Sequence, residues 1–232
     1  MFVFGKNVAE EVLNSDKKIE RIFIQDNFKD DNILRLINKR GIEVRKLNKF
    51  EMDKKVSGLH QGIILSIEDF KYSNIEDILE LENPLLVILD HIEDPHNFGA
   101  IIRTCEAAGV DGIIIPNDRS VEVNGTVVKT SVGTTEKMRI IRVTNIVKTM
   151  DMLKKNGFWI VGTDMNGQDY STIDYRGKTA IVCGNEGKGM SRLVEENCDF
   201  IASIPMYGTV NSLNASVATA IIVFEAVKSR RG

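Results

Sequence analysis

Hydrophobic and polar positions alternate along the chain with two different periods, one typical of strands and one of helices. From Pro84 onward, residues 85–89 and 179–182 are almost continuously apolar, which is typical of strands buried on both faces. Segments with helical spacing separate these runs. The pattern therefore predicts an α/β domain with a parallel sheet over residues 84–232.

The first 72 residues repeat this pattern on a smaller scale. Residues 22–24 and 63–67 are rich in β-branched side chains and predict strands, whereas Ile33, Leu34 and Ile37 recur at helical spacing before Gly41. We predict a small N-terminal α/β domain over residues 1–72, a polar linker over residues 73–83 and the larger domain over residues 84–232.

Three loops of the larger domain carry polar side chains directly after predicted strands. Ligands of open α/β sheets bind beyond the carboxyl ends of the strands, so these loops form the candidate site. The first loop reads DPHNFGAIIRT, in which Asn97 is placed to cap the next helix and Arg103 lies farther along it. The second reads GNEGKG, and places Glu186 among glycines that let backbone groups reach a ligand.

The third loop reads IPMYGTVNSLNASVA and precedes a long C-terminal helix. Asn211 or Ser212 is predicted to cap this helix, and Ser212 and Asn214 present a hydroxyl and an amide at its positive end. The helix is expected to bury a stripe of apolar residues formed by Leu213, Val217, Ile221 and Phe224.

Each of these features also has an ordinary structural interpretation. Helix capping accounts for Asn97 and Ser212, a surface ion pair for Arg103, and a tight turn for the glycine-rich loop, which matches neither G-x-x-x-x-G-K-[ST] nor G-x-G-x-x-G. His91 and His96 lie among carboxylates, but their spacing fits no regular ligand geometry, so no metal site is predicted.

Composition and charge narrow the function classes. The chain has 232 residues, of which 43% are hydrophobic, enough for a packed core. Apolar runs long enough to span a membrane and a secretory-type N-terminus are absent from the sequence, so we expect a cytoplasmic protein. Cys105, Cys183 and Cys198 are too far apart to indicate a disulfide framework or a zinc site.

The net charge of -3 argues against binding nucleic acid by bulk charge. One segment is nevertheless basic, because residues 39–55 contain seven Lys and Arg side chains against three carboxylates. This cluster fits either a phosphate-binding surface or a solvated helix and turn.

The three loops, taken in order, resemble the signature motifs of one enzyme family. N-x-G-A-x-x-R-T, G-N-E-G-x-G and I-P-M-x-G-x-x-x-S-L-N-A-S-V-A resemble those of the SpoU-type RNA ribose 2'-O-methyltransferases of the SPOUT superfamily. The N-terminal segments FGKNVAEEVL and LHQGI resemble the ribosomal-protein-like substrate-binding domain of the branch that methylates guanosine in large-subunit ribosomal RNA.

The resemblance implies a fold, a cofactor and a set of site residues. It implies a C-terminal deep trefoil knot, a homodimer with the active site near the subunit interface, and no metal. It implies that S-adenosylmethionine binds at Thr163, Gly184, Gly187, Ile204, Met206 and Leu213, and that the catalytic residues are Asn97, Arg103, Glu186, Ser212 and Asn214. We expect Arg103 to clamp a phosphate, Asn97 and Glu186 to orient the ribose, and Ser212 and Asn214 to shape the pocket. The proton acceptor is left open between Arg103 and water, although a guanidinium rarely gives up its proton.

Three alternatives accompany this hypothesis. The substrate is ribosomal RNA or, in the first alternative, transfer RNA. In the second, the chain is a non-catalytic RNA-binding factor in ribosome assembly. The third, a nucleotide-dependent oxidoreductase, lacks the early glycine fingerprint of that fold.

Overall fold

The computed structural model describes residues 1–185 and 187–231. The chain divides into two compact units, Met1–Lys71 with Glu122–Thr135, and Tyr72–Val121 with Glu136–Gly232. In chain order the strands and α-helices are β1 Phe2–Phe4, α1 Lys6–Asn14, β2 Ile19–Gln25, α2 Asp31–Arg40, β3 Val44–Leu47, α3 Lys49–Asp53, β4 Ile63–Ile67, α4 Glu76–Leu79, β5 Leu85–Asp90, α5 Pro95–Ala108, β6 Gly112–Pro116, α6 Gly125–Thr130, β7 Ile140–Val143, α7 Ile146–Lys155, β8 Trp159–Asp169, β9 Thr179–Gly184, α8 Arg192–Glu196, β10 Phe200–Ser203 and α9 Ala215–Arg231.

The first unit is built on a mixed four-stranded sheet of order β1-β4-β2-β3. Strand β4 is antiparallel to β1 and β2, whereas β3 is parallel to β2. Helix α2 begins after Asp30, whose side chain accepts from the backbone N–H of Ile33, and ends at Gly41 with a left-handed φ of 62°. These are the start and stop signals that the sequence carries.

Helix α6 packs against β1 in the first unit, although the linear pattern placed its segment in the larger domain. Its first residue, Gly125, lies so close to β1 that an added Cβ would be 2.1 Å from the carbonyl oxygen of Phe2. Only glycine permits this approach.

The second unit contains a six-stranded sheet of order β10-β8-β9-β5-β6-β7, in which every strand pair is parallel. Strand β5 is buried along its whole length, as its continuous apolar pattern predicts. The predicted α/β fold with a parallel sheet is confirmed.

Residues 73–83, which the sequence pattern assigned to a linker, are packed into this unit. Helix α4 buries Ile78 completely in the core, and the backbone N–H of Ser73 donates to the carbonyl of Ile140. Apolar residues at helical spacing within a polar segment thus indicate a helix that packs against the core.

Within the described residues, none of the helices combines the length and the apolar composition that a membrane span needs.

Candidate active site

The carboxyl ends of β5 and β9 lie side by side in the second unit, because Asp90 and Gly184 are register partners at the ends of these strands. The loops that follow β9 and β10 enclose, with β8, a cavity of about 450 Å³. Its apolar side includes Ile204, Met206 and Leu213. The site therefore lies where parallel sheets commonly bind ligands.

The six residues predicted to bind the cofactor all line this cavity: Thr163, Gly184, Gly187, Ile204, Met206 and Leu213. Sequence reasoning missed two charged lining residues, Asp164 and Lys188. Both were identifiable by position, since Asp164 follows Thr163 in β8 and Lys188 lies within the glycine-rich loop. They supply a carboxylate and an ammonium group, the charged side chains among the described residues of the lining.

The glycine-rich loop closes into a tight turn through two backbone hydrogen bonds. Asn185 donates to the carbonyl of Gly189 at 3.0 Å, and Gly189 donates back at 2.8 Å. A Cβ on Gly184 would lie 2.2 Å from backbone atoms of Gly189 and Met190, so the turn requires glycine there. Glu186, a predicted catalytic residue, lies outside the described residues.

A buried carboxylate connects the end of β5 to the segment after the glycine-rich loop. Asp90 is 1% exposed and accepts from the backbone N–H of Ser191 at 2.6 Å, while its other oxygen lies 2.5 Å from Nδ1 of His91. The side-chain amide of Asn185 donates to the His91 carbonyl at 2.8 Å. Asp90 and His91 thus hold two functional loops together, a role that spacing alone did not indicate.

The start of α5 differs from the sequence prediction. Asp94, not Asn97, caps the helix, because its side chain accepts from the backbone N–H of His96 and Pro95 takes the first helical position. Asn97 is instead buried within the first turn. Proline is favoured at that position, so the helix begins three residues earlier than an Asn97 cap would require.

The start of α9 also differs from the prediction. Neither Asn211 nor Ser212 caps it; the Asn214 side-chain oxygen accepts from the backbone N–H of Ser216 at 2.9 Å. The Asn214 amide nitrogen donates to the Asn97 side-chain oxygen at 2.9 Å. One side chain therefore caps α9 and bonds to the first turn of α5.

The remaining predicted catalytic residues occupy different positions. Ser212 lines the cavity. Arg103 is exposed on α5 and does not line the cavity. In the described part of the chain, no hydrogen bond or ion pair to its guanidinium is found, so this cation is available to an anionic ligand.

The predicted buried stripe of α9 is wrong. Val217 and Phe224 are 47% and 51% exposed, and the residues that α9 buries are Ala215, Thr219, Ile222, Val223 and Ala226. The helix is apolar around most of its circumference, so periodicity did not distinguish its packed side. Three of these buried residues, Ala215, Thr219 and Ala226, are small, as the packing of α9 against α5 and β9 requires.

The cavity is also lined by Cys183, one of the three cysteines for which neither a disulfide nor a zinc site was predicted. Burial raises the pKa of this thiol to about 11, against smaller opposing effects of hydrogen bonds with Thr219 and Thr163. The thiol is therefore neutral near pH 7 and is a poor nucleophile. Across the described residues, no group of three His, Cys, Asp or Glu side chains is arranged to hold a metal ion.

Comparison with known proteins connects this geometry to a family. Residues 84–224 match the SpoU rRNA Methylase family, and residues 2–73 match the family described as RNA 2'-O ribose methyltransferase substrate binding. The chain belongs to the SpoU methylase family. It is an RNA methyltransferase, and S-adenosylmethionine is the methyl donor on which this family depends.

Relatives and solved structures resemble the whole chain. YacO of Bacillus subtilis, whose name assigns it to the TrmH family of tRNA/rRNA methyltransferases, is 39% identical, with 99% of this chain and 96% of the relative covered. The AdoMet-bound rRNA methyltransferase from Sinorhizobium meliloti is 28% identical with a TM-score of 0.78, covering 98% of this chain and 86% of that one. The SpoU methyltransferase AviRb from Streptomyces viridochromogenes is 26% identical with a TM-score of 0.80, covering 100% and 90%.

The described lining of the cavity has the chemistry that S-adenosylmethionine requires. Ile204, Met206 and Leu213 offer an apolar surface for the adenine. Asp164 and Lys188 supply charges opposite in sign to those of the ligand's cationic and carboxylate groups. Backbone N–H and C=O groups of the loops provide further hydrogen bonds.

Proposed function

We propose that this SpoU methylase transfers a methyl group from S-adenosylmethionine to the ribose 2'-hydroxyl of a guanosine in large-subunit ribosomal RNA. The match of residues 2–73 to a ribose methyltransferase substrate-binding family supports the 2'-oxygen as acceptor. The structural neighbour from Sinorhizobium meliloti is described as an rRNA methyltransferase, which supports ribosomal RNA as the substrate class. The relatives' names include tRNA as well as rRNA, so transfer RNA is the second candidate.

The observation that carries this proposal is the Asn97–Asn214 hydrogen bond beside the cavity. It joins the first turn of α5, from the first motif, to the start of α9, from the third motif. Because Ser212 lines the cavity only two residues before Asn214, the pair fixes the cavity wall where a ribose would enter. Fixed polar groups lower the entropic cost of orienting a weak hydroxyl nucleophile.

The residues of the chain have separable roles in this reaction. When bound, S-adenosylmethionine supplies a methyl group activated by an adjacent sulfonium centre. Asn97 and Glu186 orient the ribose, and Ser212 and Asn214 shape the pocket. Arg103 clamps a neighbouring phosphate with its planar fork, since a guanidinium with a pKa above about 12 retains its proton. The 2'-hydroxyl proton passes to water.

We propose that the active form is a homodimer. Val217 and Phe224 leave an apolar strip exposed on α9 of the single chain, and apolar faces of this kind are commonly buried by symmetric association. Val217 lies in the first turn of this helix, which Asn214 caps, so one end of the strip is near the candidate active site.

We also propose that the C-terminal part forms the deep trefoil knot implied by the motifs. After β10 at the sheet edge, the chain returns to pack α9 against β9 and α5, which supports this path. The protein is expected to act in the cytoplasm.

Mapping of ribose methylation in cellular RNA tests the proposed target. Total RNA from cells with and without this chain is compared for 2'-O-methylation in large-subunit ribosomal RNA and in transfer RNA. We expect one guanosine of the large-subunit RNA to lose its methyl group in the deletion strain. Loss of a methyl group only in transfer RNA would show that transfer RNA, and not ribosomal RNA, is the substrate. Identical methylation maps from the two strains would favour a non-catalytic role.

A further inference from the structure

Aromatic and basic side chains share one face of the sheet in the first unit. Phe23 of β2 is the register partner of Arg45 in β3, and Arg21 lies two positions from Phe23 on the same side of β2. The Phe2 ring meets the Phe23 ring edge-on, with centroids 6.0 Å apart. The ammonium group of Lys55 lies 5.4 Å from the first ring and 4.4 Å from the second.

Part of this face is open to solvent. Helix α3 covers the half that carries Phe4 and Ile64 by burying Met52 against them. Beyond the helix, Phe2 is 37% exposed, and Arg21 and Arg45 are exposed as well. The uncovered half therefore presents an aromatic edge together with three cationic side chains, counting Lys55.

The outer side of α3 adds a second aromatic and basic pair. Phe50 is 67% exposed, and the ammonium group of Lys54, four residues later, lies 4.3 Å from the centre of its ring. An aromatic ring with this exposure is not stabilised by packing in the hydrophobic core of the unit. Helical spacing places Phe50 and Lys54 on one side of the chain, facing away from the buried Met52.

The two carboxylates of α3 are engaged in structural bonds. Glu51 accepts from the backbone N–H of Asn48 in a capping box, and Asp53 bonds to Nε2 of His60 at 3.0 Å. Over the described ranges, Arg45, Lys54 and Lys55 form no ion pair. Around α3 the surface is therefore positively charged, although the whole chain is slightly acidic.

We infer that this surface binds unpaired nucleotides of the RNA substrate, with a base stacked on Phe50 and phosphates on the basic side chains. We call it the aromatic–basic surface, and it comprises Phe2, Arg21, Arg45, Phe50, Lys54 and Lys55. Cations alone would serve a paired helix equally well, but exposed rings find stacking partners only where bases are unpaired. The inference rests on the proposed function and deepens it by assigning the position and pairing state of the RNA that the first unit binds.

Fluorescence anisotropy of the full chain tests the inference without knowledge of the natural target. The probes are a labelled oligouridine of about twelve nucleotides and a fully paired RNA duplex of the same length. The variants are Phe50→Ala, Phe50→Trp and the double variant Lys54→Gln with Lys55→Gln. Leu59→Ala removes another exposed apolar side chain of this unit, and Lys29→Gln removes an exposed lysine that lies outside the basic segment 39–55, so both serve as matched controls.

We expect Phe50→Ala to weaken oligouridine binding about fivefold or more, because stacking of a base on an aromatic side chain is lost. Phe50→Trp retains the affinity, and the double lysine variant binds more weakly with a reduced dependence on salt. Both controls stay within about twofold of the parent, a change well below the loss of one stacked base. Thermal midpoints and S-adenosylmethionine affinity are unchanged throughout.

Equal affinity of Phe50→Ala and Leu59→Ala for oligouridine would overturn the stacking of a base on Phe50. The exposed ring would then be assigned to contact with a protein partner. Tighter binding of the duplex than of oligouridine would overturn the preference for unpaired RNA. Failure of the proposed function is a separate result, because it appears as absent methyl transfer while oligouridine binding and its dependence on Phe50 persist.

Discussion

The Asn214 side chain donates a hydrogen bond of 2.9 Å to the side chain of Asn97, which lies 117 positions earlier in the sequence. The same Asn214 caps α9 through its oxygen. Two motifs that are distant in the chain thus share one polar contact beside the cavity, and the two functions of Asn214 can be separated by substitution.

Asn214→Asp retains an oxygen that caps α9 but removes the amide that donates to Asn97. We expect this variant to keep most of the stability of the parent while methyl transfer falls about tenfold, the effect of one lost hydrogen bond of about 1.4 kcal/mol in the transition state. Asn214→Ala should also lose the cap, at a cost of about 1 kcal/mol in the free energy of unfolding. Thermal melts and initial rates measure the two effects, and full activity in Asn214→Asp would show that the pair has no role in catalysis.

Arg103 is expected to act on RNA and not on the cofactor. Arg103→Ala should lower kcat/KM for RNA about tenfold to a hundredfold, because a charge-assisted contact to phosphate is lost. Arg103→Lys should recover only part of the rate, since an ammonium group lacks the bidentate fork. Calorimetry should give an unchanged affinity for S-adenosylmethionine, and Arg192→Ala, on exposed α8, is the matched control. If the Arg103→Ala enzyme had the same kinetics as the parent, Arg103 would have no role in the active site.

Gly184→Ala tests the tight turn of the second motif. The new Cβ would lie 2.2 Å from backbone atoms of the returning loop, so the loop must shift. We expect a loss of about 1–3 kcal/mol in the free energy of unfolding, together with markedly weaker S-adenosylmethionine binding. Gly208→Ala is the control, because an added Cβ there meets nothing within 4 Å. Parental stability and cofactor affinity in Gly184→Ala would contradict the requirement for glycine in this turn.

The exposed strip of α9 gives a prediction about assembly. A double variant, Val217→Glu with Phe224→Glu, should convert the proposed dimer to a monomer, because charged side chains oppose burial of this strip. Light scattering coupled to size-exclusion chromatography measures the mass. Leu193→Glu, at an exposed apolar position on α8, should leave the mass unchanged. A parent protein that is monomeric, or a double variant that remains dimeric, would refute the proposed interface.

The sequence predicted the sheet and the cavity lining more accurately than the helix ends. Continuous apolar runs indicate buried parallel strands because both faces are covered, and the loops after them necessarily meet at one sheet edge. Asp94 and Asn214 were missed as caps because neighbouring asparagine and serine residues offer equivalent side chains to the same helix. Which of these residues becomes the cap depends on the position that the helix takes when it packs against the rest of the unit.

Long-range packing was less accessible to pattern analysis. Helix α9 has apolar side chains on nearly every side, so only its packing against α5 and β9 identifies the small residues that face inward. The placement of α6 in the first unit depends on Gly125 approaching the backbone of Phe2, more than a hundred residues earlier in the sequence. The local periodicity of apolar residues cannot reveal a contact between residues so far apart in the sequence.

Methyl transfer by the purified chain tests the central claim most directly. The protein is incubated with methyl-labelled S-adenosylmethionine and either unmodified large-subunit ribosomal RNA or transfer RNA, and the labelled nucleosides are identified after complete digestion. We predict label in 2'-O-methylguanosine from the ribosomal RNA, formed about tenfold to a hundredfold more slowly by Arg103→Ala. Label in a methylated base, or no transfer to either RNA by a protein that binds the cofactor, would contradict the proposed ribose methylation.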